Sequence, residues 1–181
     1  MPIRIRKLGV VATVLVVFGG ITGVVAASLG PPRIAAVGYK VQSKLDSSQM
    51  VPAPAAAPTD ATGTFRALLV RAPIYTYPPQ GRSIKVVWKL AWRLTVSNLT
   101  GTVTKVQVDQ GAKGQLGTPL VTLCAPCGSL PHGIVQVTAA QAKVVLANGA
   151  YVTAATAANT GGEIRGQLTR VRTLPPPAVK P

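Results

Sequence analysis

Between residues 83 and 97 the chain alternates. Ile84, Val86, Trp88, Leu90, Trp92, Leu94 and Val96 take every second position, and Lys85, Val87, Lys89, Ala91, Arg93, Thr95 and Ser97 stand between them. Successive side chains of a strand point to opposite faces, so the stretch specifies one long strand, or two separated by a bulge, with an apolar face and a largely basic or small one. It places Trp88 and Trp92 on the covered face as core anchors. Whatever else the chain does, it builds a sheet with one side turned inward.

The remainder supports many short strands. Hydrophobic residues make up 48% of the sequence but aromatic ones only 4%, and the bulk is Val, Ala, Leu and Thr with abundant Gly and Pro, a composition suited to strands and turns. Further strands are expected over residues 64–70, 103–108, 119–123, 134–137, 151–156 and 163–171. Residues 72–82, with Tyr75 and Tyr77, read as a loop, and 98–101 and 159–162 as turns. Thr138 is placed to cap a short helix over 139–146, closed by Asn148-Gly149. The fold expected is all-β: an antiparallel β-sandwich or partly closed barrel of one domain, with one short helix.

Ahead of the domain lies an uncharged run, residues 8–29, preceded by Arg4, Arg6 and Lys7. Roughly 20 apolar residues suffice to cross a bilayer core. Two readings stay open. One is a signal peptide cleaved after Val24-Val25-Ala26 or Val25-Ala26-Ala27; the other is an uncleaved transmembrane anchor, favoured by a run longer than the usual apolar region of a signal and by Gly9, Gly19, Gly20 and Gly23. The basic flank keeps residues 1–7 cytoplasmic and sends the chain from about residue 30 into the periplasm or outside. Pro31-Pro32 would end the helix; residues 30–61, Pro/Ala-rich toward their end, are expected to be an extended linker, residues 62–173 the domain, and residues 174–181 a Pro-rich tail.

The formal net charge is +15, and Asp46, Asp60, Asp109 and Glu163 are the acidic residues. Nucleic acid is an unsuitable partner: the domain is expected outside the cytoplasm, the bases are dispersed, and no aromatic stacking platform accompanies them. Anionic lipid or an acidic protein surface suits the charge better, with a cationic surface kept for solubility as the bland alternative. Arg66, Arg71, Arg82, Lys85, Lys89 and Arg93 are the candidate docking charges.

Cys124-Ala125-Pro126-Cys127 lacks the His at 128 that haem attachment needs, offers too few ligands for zinc with only His132 nearby, and sits outside any βαβ pattern that a redox pair would occupy. A small structural disulfide remains, consistent with an oxidising compartment. The glycine-rich 111–117 segment, GAKGQLG, has neither the spacing nor the Lys-Ser/Thr pair of a phosphate loop. The sequence thus nominates no catalytic, cofactor-binding or metal-binding residue.

Residues 150–168, AYVTAATAANTGGEIRGQL, resemble the closing motif of chordin-type (CHRD) domains, which typically end in a Tyr-Val-Asn-x-His-Thr strand and an Asn-x-Gly-Gly-Glu-Ile-Arg-Gly-Gln-Leu hairpin. Residues 94–101, LTVSNLTG, look like that family's strand before its Leu-Thr-Gly turn. The resemblance covers about residues 62–171. It implies an immunoglobulin-like sandwich in an exported protein and brings no established enzymatic activity. The family usually has His-x-His after the Leu-Thr-Gly turn and another His in the penultimate strand; those positions hold Gln107, Asp109 and Ala155 here, leaving no imidazole for a metal. Gly161-Gly162 is expected to serve a turn with positive φ, and Glu163 and Arg165 to be neighbours on one strand face.

The function expected from these features is that of a non-catalytic, membrane-anchored, exported accessory subunit docking on a larger membrane complex, with an energy-transducing one, photosynthetic or respiratory, favoured. The alternative is a freestanding exported binding module for an acidic ligand or polymer.

Overall fold

The computed structural model describes residues 37–76 and 83–174. The elements are β1 (Val37–Asp46), a 3-10 turn (Ser47–Gln49), β2 (Thr62–Thr76), β3 (Ser83–Ser97), β4 (Val103–Gln110), β5 (Thr118–Cys124), β6 (His132–Val137), α1 (Ala139–Leu146), β7 (Ala150–Thr156), β8 (Ile164–Gln167) and β9 (Thr169–Leu174). Every pairing is antiparallel. The strands form one continuous sheet in the order β5-β4-β7-β8-β1-β2-β3-β6, with β9 also on β1. Its two ends, β5 and β6, touch. The sheet is therefore nearly closed around a single core, the partly closed barrel of the two expected forms rather than two separately bonded sheets.

The alternation in β3 does what the sequence requires. Leu90, Trp92 and Leu94 are buried, while Lys85, Lys89, Arg93, Thr95 and Ser97 are exposed. The Trp92 ring stacks on Phe65 and the Trp88 ring on Tyr39, each pair with centroids 6.2 Å apart. Trp88 is half-buried, and the pattern lapses at the start of the strand, where Ile84 is exposed and Val87 buried. Phe65, Leu69, Val41 and Leu45 complete this side of the core, and Val106, Val108, Val152 and Ile164 face them from the other half of the sheet. Burying each such side chain contributes roughly 1.5–3 kcal/mol against leaving it in water.

Helix α1 forms as expected. Thr138 Oγ1 accepts from Gln141 N (3.1 Å), and Gln141 Oε1 accepts from Thr138 N (2.8 Å), a reciprocal capping box. Asn148 at φ 58° ends it.

Three expectations need correcting. Residues 30–61 are not all linker: residues 37–46 form β1, which pairs along its whole length with β2 and on its other edge with β9 and β8. Residues 50–61 cannot space the domain from anything, because they join Asp46 to Thr62, which are themselves paired. Met50 and Ala61 are buried against the sheet. Second, the 72–82 segment is not wholly a loop, since β2 runs to Thr76 opposite Ser83. Third, residues 163–171 are two strands, interrupted at the fully buried Leu168. The chain there leaves β7 and crosses to β1, and Gly166 permits the approach: a Cβ at this position would lie 2.2 Å from the Lys44 carbonyl oxygen. The apolar run 8–29, Arg82 and the tail from residue 175 lie outside the described residues. Among the described residues no helix is long and apolar enough to cross a membrane.

Candidate functional site

Two surfaces of the sheet carry the polar residues singled out in the sequence. The first is the outward face of β1, β2, β3 and β6. Register aligns its side chains in rows. One row runs Gln42, Arg66, Arg93, His132; the next runs Lys40, Leu68, Ala91, Ile134. Arg66 and Arg93 are thus directly opposite on adjacent strands, both exposed. Like charges in that relation are destabilising. Beside them, Ile134 is 70% and Val171 55% exposed. A shallow cleft of about 630 Å³ opens here, lined by Lys40, Gln42, Arg66, Leu68, Ala91 and Arg93 among others. Of the remaining docking candidates, Lys89 is one row further along, opposite Val70, while Arg71 pairs with Trp88 and Lys85 with Ile74 toward the end of the β2–β3 hairpin. The structure therefore groups Arg66 and Arg93 and sets Arg71, Lys85 and Lys89 apart from them. Sequence spacing hid the grouping, because the two arginines lie on different strands.

The second surface is the outward face of β4, β7 and β8. Gln107 aligns with Thr153 and Arg165, Asp109 with Tyr151 and Gln167, and Ala155 with Lys105. Positions 107, 109 and 155 do share one face. What occupies 107 and 109 is bonded locally and lines a cavity of about 180 Å³, beside which the buried Arg165 Nη1 has no partner. Asp109 is buried, its carboxylate accepting from the Gln107 amide and from Thr153 Oγ1 (3.2 Å). The Arg165 guanidinium lies 3.4 Å over the Tyr151 ring and donates to the Ala112 carbonyl (3.0 Å). Tyr151 Oη accepts from Gly117 N (2.9 Å). The 111–117 loop is thus a packed cover: a Cβ on Gly117 would lie 2.2 Å from the Gln110 carbonyl oxygen. Asp109, held by two donors and lining the same cavity as the buried Arg165 guanidinium, has no imidazole beside it and does not favour a metal ion.

Glu163 and Arg165 do not act as neighbours. Glu163 precedes β8, after Gly162 at φ 129°, and its side chain turns to the opposite end of the hairpin. The carboxylate is wholly buried and accepts from Thr100 N (2.7 Å), Thr100 Oγ1, Thr156 Oγ1 (2.6 Å) and Asn159 Nδ2 (3.1 Å). Burial alone would raise its pKa; the hydrogen bonds from the Thr100 and Thr156 hydroxyls, the Thr100 N–H and the Asn159 amide outweigh that and hold it below the ordinary value of 4.5. Here the two stretches that carry the family resemblance meet: Thr100 of the Leu-Thr-Gly turn is clasped by Glu163 of the Gly-Gly-Glu-Ile-Arg-Gly run. The family model for the CHRD domain matches residues 41–168.

The chain belongs to the CHRD domain family. No curated protein and no solved structure matches it. The match begins inside β1, in accord with a CHRD domain that includes this strand. In this CHRD domain the motif glutamate is a structural clasp; Gln107 and Thr153 donate to Asp109, while Arg165, Gln167 and Tyr151 hold the 111–117 loop. Cys124 and Cys127 form a disulfide that closes the turn after β5, with Cys127 N donating to the Thr104 carbonyl (3.2 Å). Among the described residues no three His, Cys, Asp or Glu side chains gather as metal ligands. The outward face around Arg66 and Arg93 is exposed and places two cations directly opposite each other.

Proposed function

We propose that the protein is a non-catalytic, exported accessory subunit, held in the membrane by residues 8–29, whose CHRD domain docks on an acidic surface of a larger membrane complex. An energy-transducing complex, photosynthetic or respiratory, is the assembly the reading favours. The observation that carries it is the Arg66–Arg93 pair. Two exposed guanidinium groups placed opposite each other weaken the fold that bears them, and between residues 61 and 108 the sequence has no carboxylate to relieve them. An acidic partner would turn that repulsion into attraction, and Leu68, Ala91, Ile134 and Val171 would supply apolar contact beside it.

Extraction of native membranes in mild detergent tests this. The chain should co-purify with a stoichiometric set of membrane proteins, and the Arg66→Glu/Arg93→Glu variant should elute free of them while still folding. A wild-type chain that elutes alone sinks the proposal. The cleft of about 630 Å³ on the same face supports a second reading, a freestanding module for an acidic polymer. That reading expects binding that weakens steeply with salt and no fixed stoichiometry.

A further inference from the structure

The cavity on the outward face of β4, β7 and β8 has no part in the fold or in the docking face. It measures about 180 Å³, room for several waters or for one molecule of a few heavy atoms. Its floor is polar: Gln107, Asp109, Tyr151, Thr153 and Arg165, all from the strands. Met50 and Leu116 reach it from flanking segments and give it apolar walls. Leu116 is 72% exposed, and Gly161, which also lines the cavity, is exposed too. The cavity therefore opens to solvent beside these two residues.

Two opposite charges meet this space. Arg165 is 3% and Asp109 7% exposed. They stand on the strands either side of β7, roughly 10 Å apart at the backbone by two strand spacings. They do not bond each other. Asp109 accepts from Gln107 and Thr153, and the Arg165 guanidinium donates through Nη2 to the Ala112 carbonyl and covers the Tyr151 ring. Among the described residues, Arg165 Nη1 is buried with no acceptor. A buried charged donor without an acceptor is costly, more so than a neutral one. Asp109 has room for further donors, since an ionised carboxylate offers about four lone-pair sites and two are taken. Water could reach either group, but it brings neither of them a countercharge.

We infer that this cavity binds a small free α-amino acid, its carboxylate accepting from Arg165 Nη1 and its ammonium donating to Asp109. The occupant has to offer an anionic acceptor on one side and a cationic donor on the other, within a few heavy atoms. A zwitterion whose two charges flank one carbon does both. A simple anion would meet Arg165 but face the Asp109 carboxylate across a poorly solvated space, and a simple cation would face the guanidinium. Charge-assisted hydrogen bonds at both ends would fix the ligand's direction. Met50 and Leu116 offer apolar contact to its side chain, and the volume limits that side chain to a short one, as in alanine. The site lies apart from the docking face on β1, β2, β3 and β6 and does not depend on it.

The test is calorimetric titration of the full chain, disulfide intact and in detergent, with L-alanine, acetate and methylammonium. L-alanine should bind saturably with one site per chain. Acetate and methylammonium should each bind about tenfold more weakly or worse, since each gives up one charge-assisted hydrogen bond. Asp109→Asn should weaken L-alanine by about the same factor and leave acetate no weaker. Gly161→Trp should close the opening and abolish binding with the thermal transition unchanged, because a side chain added there meets nothing within 4 Å at its Cβ. If one variant fails to fold, the other decides. Absence of L-alanine binding up to millimolar concentration overturns the inference, and so does binding that the folded variants leave intact. Acetate binding as tightly as L-alanine overturns it in favour of a plain anion site.

Discussion

A single buried carboxylate holds together the two motifs of this CHRD domain. Glu163 accepts four hydrogen bonds, two of them from Thr100, more than sixty positions earlier. Because its pKa lies below the ordinary 4.5, the folded state gives up this proton more readily than the unfolded chain does. The resulting stabilisation is complete above pH 4.5 and is lost as pH falls through the lower folded-state value. Glu163→Gln keeps the shape but turns an amide N–H₂ toward donors. It should cost about 2–3 kcal/mol at pH 7, read as a lower urea midpoint with unchanged slope. The variant should also lose part of the acid dependence, leaving that of Asp46, which burial pushes up but hydrogen bonds from Ser48 and Gln49 hold down. If wild type and variant lose stability in parallel between pH 5 and pH 3 (about where ordinary carboxylates titrate), the clasp carries no charge of consequence. The exposed arginine pair makes the opposite prediction. Arg93→Gln should raise the melting temperature slightly, since it removes a cross-strand repulsion. A lower melting temperature would mean that Arg93 supports the sheet, and the argument that it is kept for a partner would lose its footing.

At the level of elements, legibility in the sequence tracked how strongly a segment's own pattern is driven by burial on one side. β3 was plain because Leu90, Trp92 and Leu94 face the core while charged residues face water. α1 was plain because its capping residues lie within it. β1 has the same alternation, with Val41, Ser43 and Leu45 buried and Lys40, Gln42 and Lys44 exposed. Its signal was muted by the buried Ser43 and the glycine at 38, and by the prolines on both sides, which read as linker. Residues 72–76, the outer part of β2, were missed for another reason: Ile74 is exposed there and Pro73 interrupts the run, so no one-sided burial patterns the segment. The polar cluster around Gln107 and Asp109 was partly legible. Alternate spacing put them on one face, but only the β4–β7–β8 register could bring Thr153 and Arg165 into line with them. The disulfide was legible in spacing, and its energetic weight follows from loop length. Cys124→Ser with Cys127→Ser should cost about 2 kcal/mol, since a loop this short restrains little of the unfolded chain. Loss of folding altogether would show that the turn after β5 needs the bond to form, not only to persist.

At the scale of the whole molecule, the position of β1 decides what the domain is. In the sheet order it stands between β8 and β2, and it is the link between the group β5-β4-β7-β8 and the group β2-β3-β6. It is bonded on both edges, and its Val41 and Leu45 are each 2% exposed. Removing it does more than trim an edge. It leaves one edge each of β2 and β9 unpaired and exposes Phe65 and Leu69 to water. A chain of residues 62–173, the domain as composition alone would cut it, should therefore be a collapsed or aggregating species. Its amide proton spectrum should be poorly dispersed and its thermal trace non-cooperative. A chain of residues 37–174 should give dispersed amides and a single cooperative transition. Should the shorter chain fold cooperatively, the sheet does not depend on β1 for its continuity.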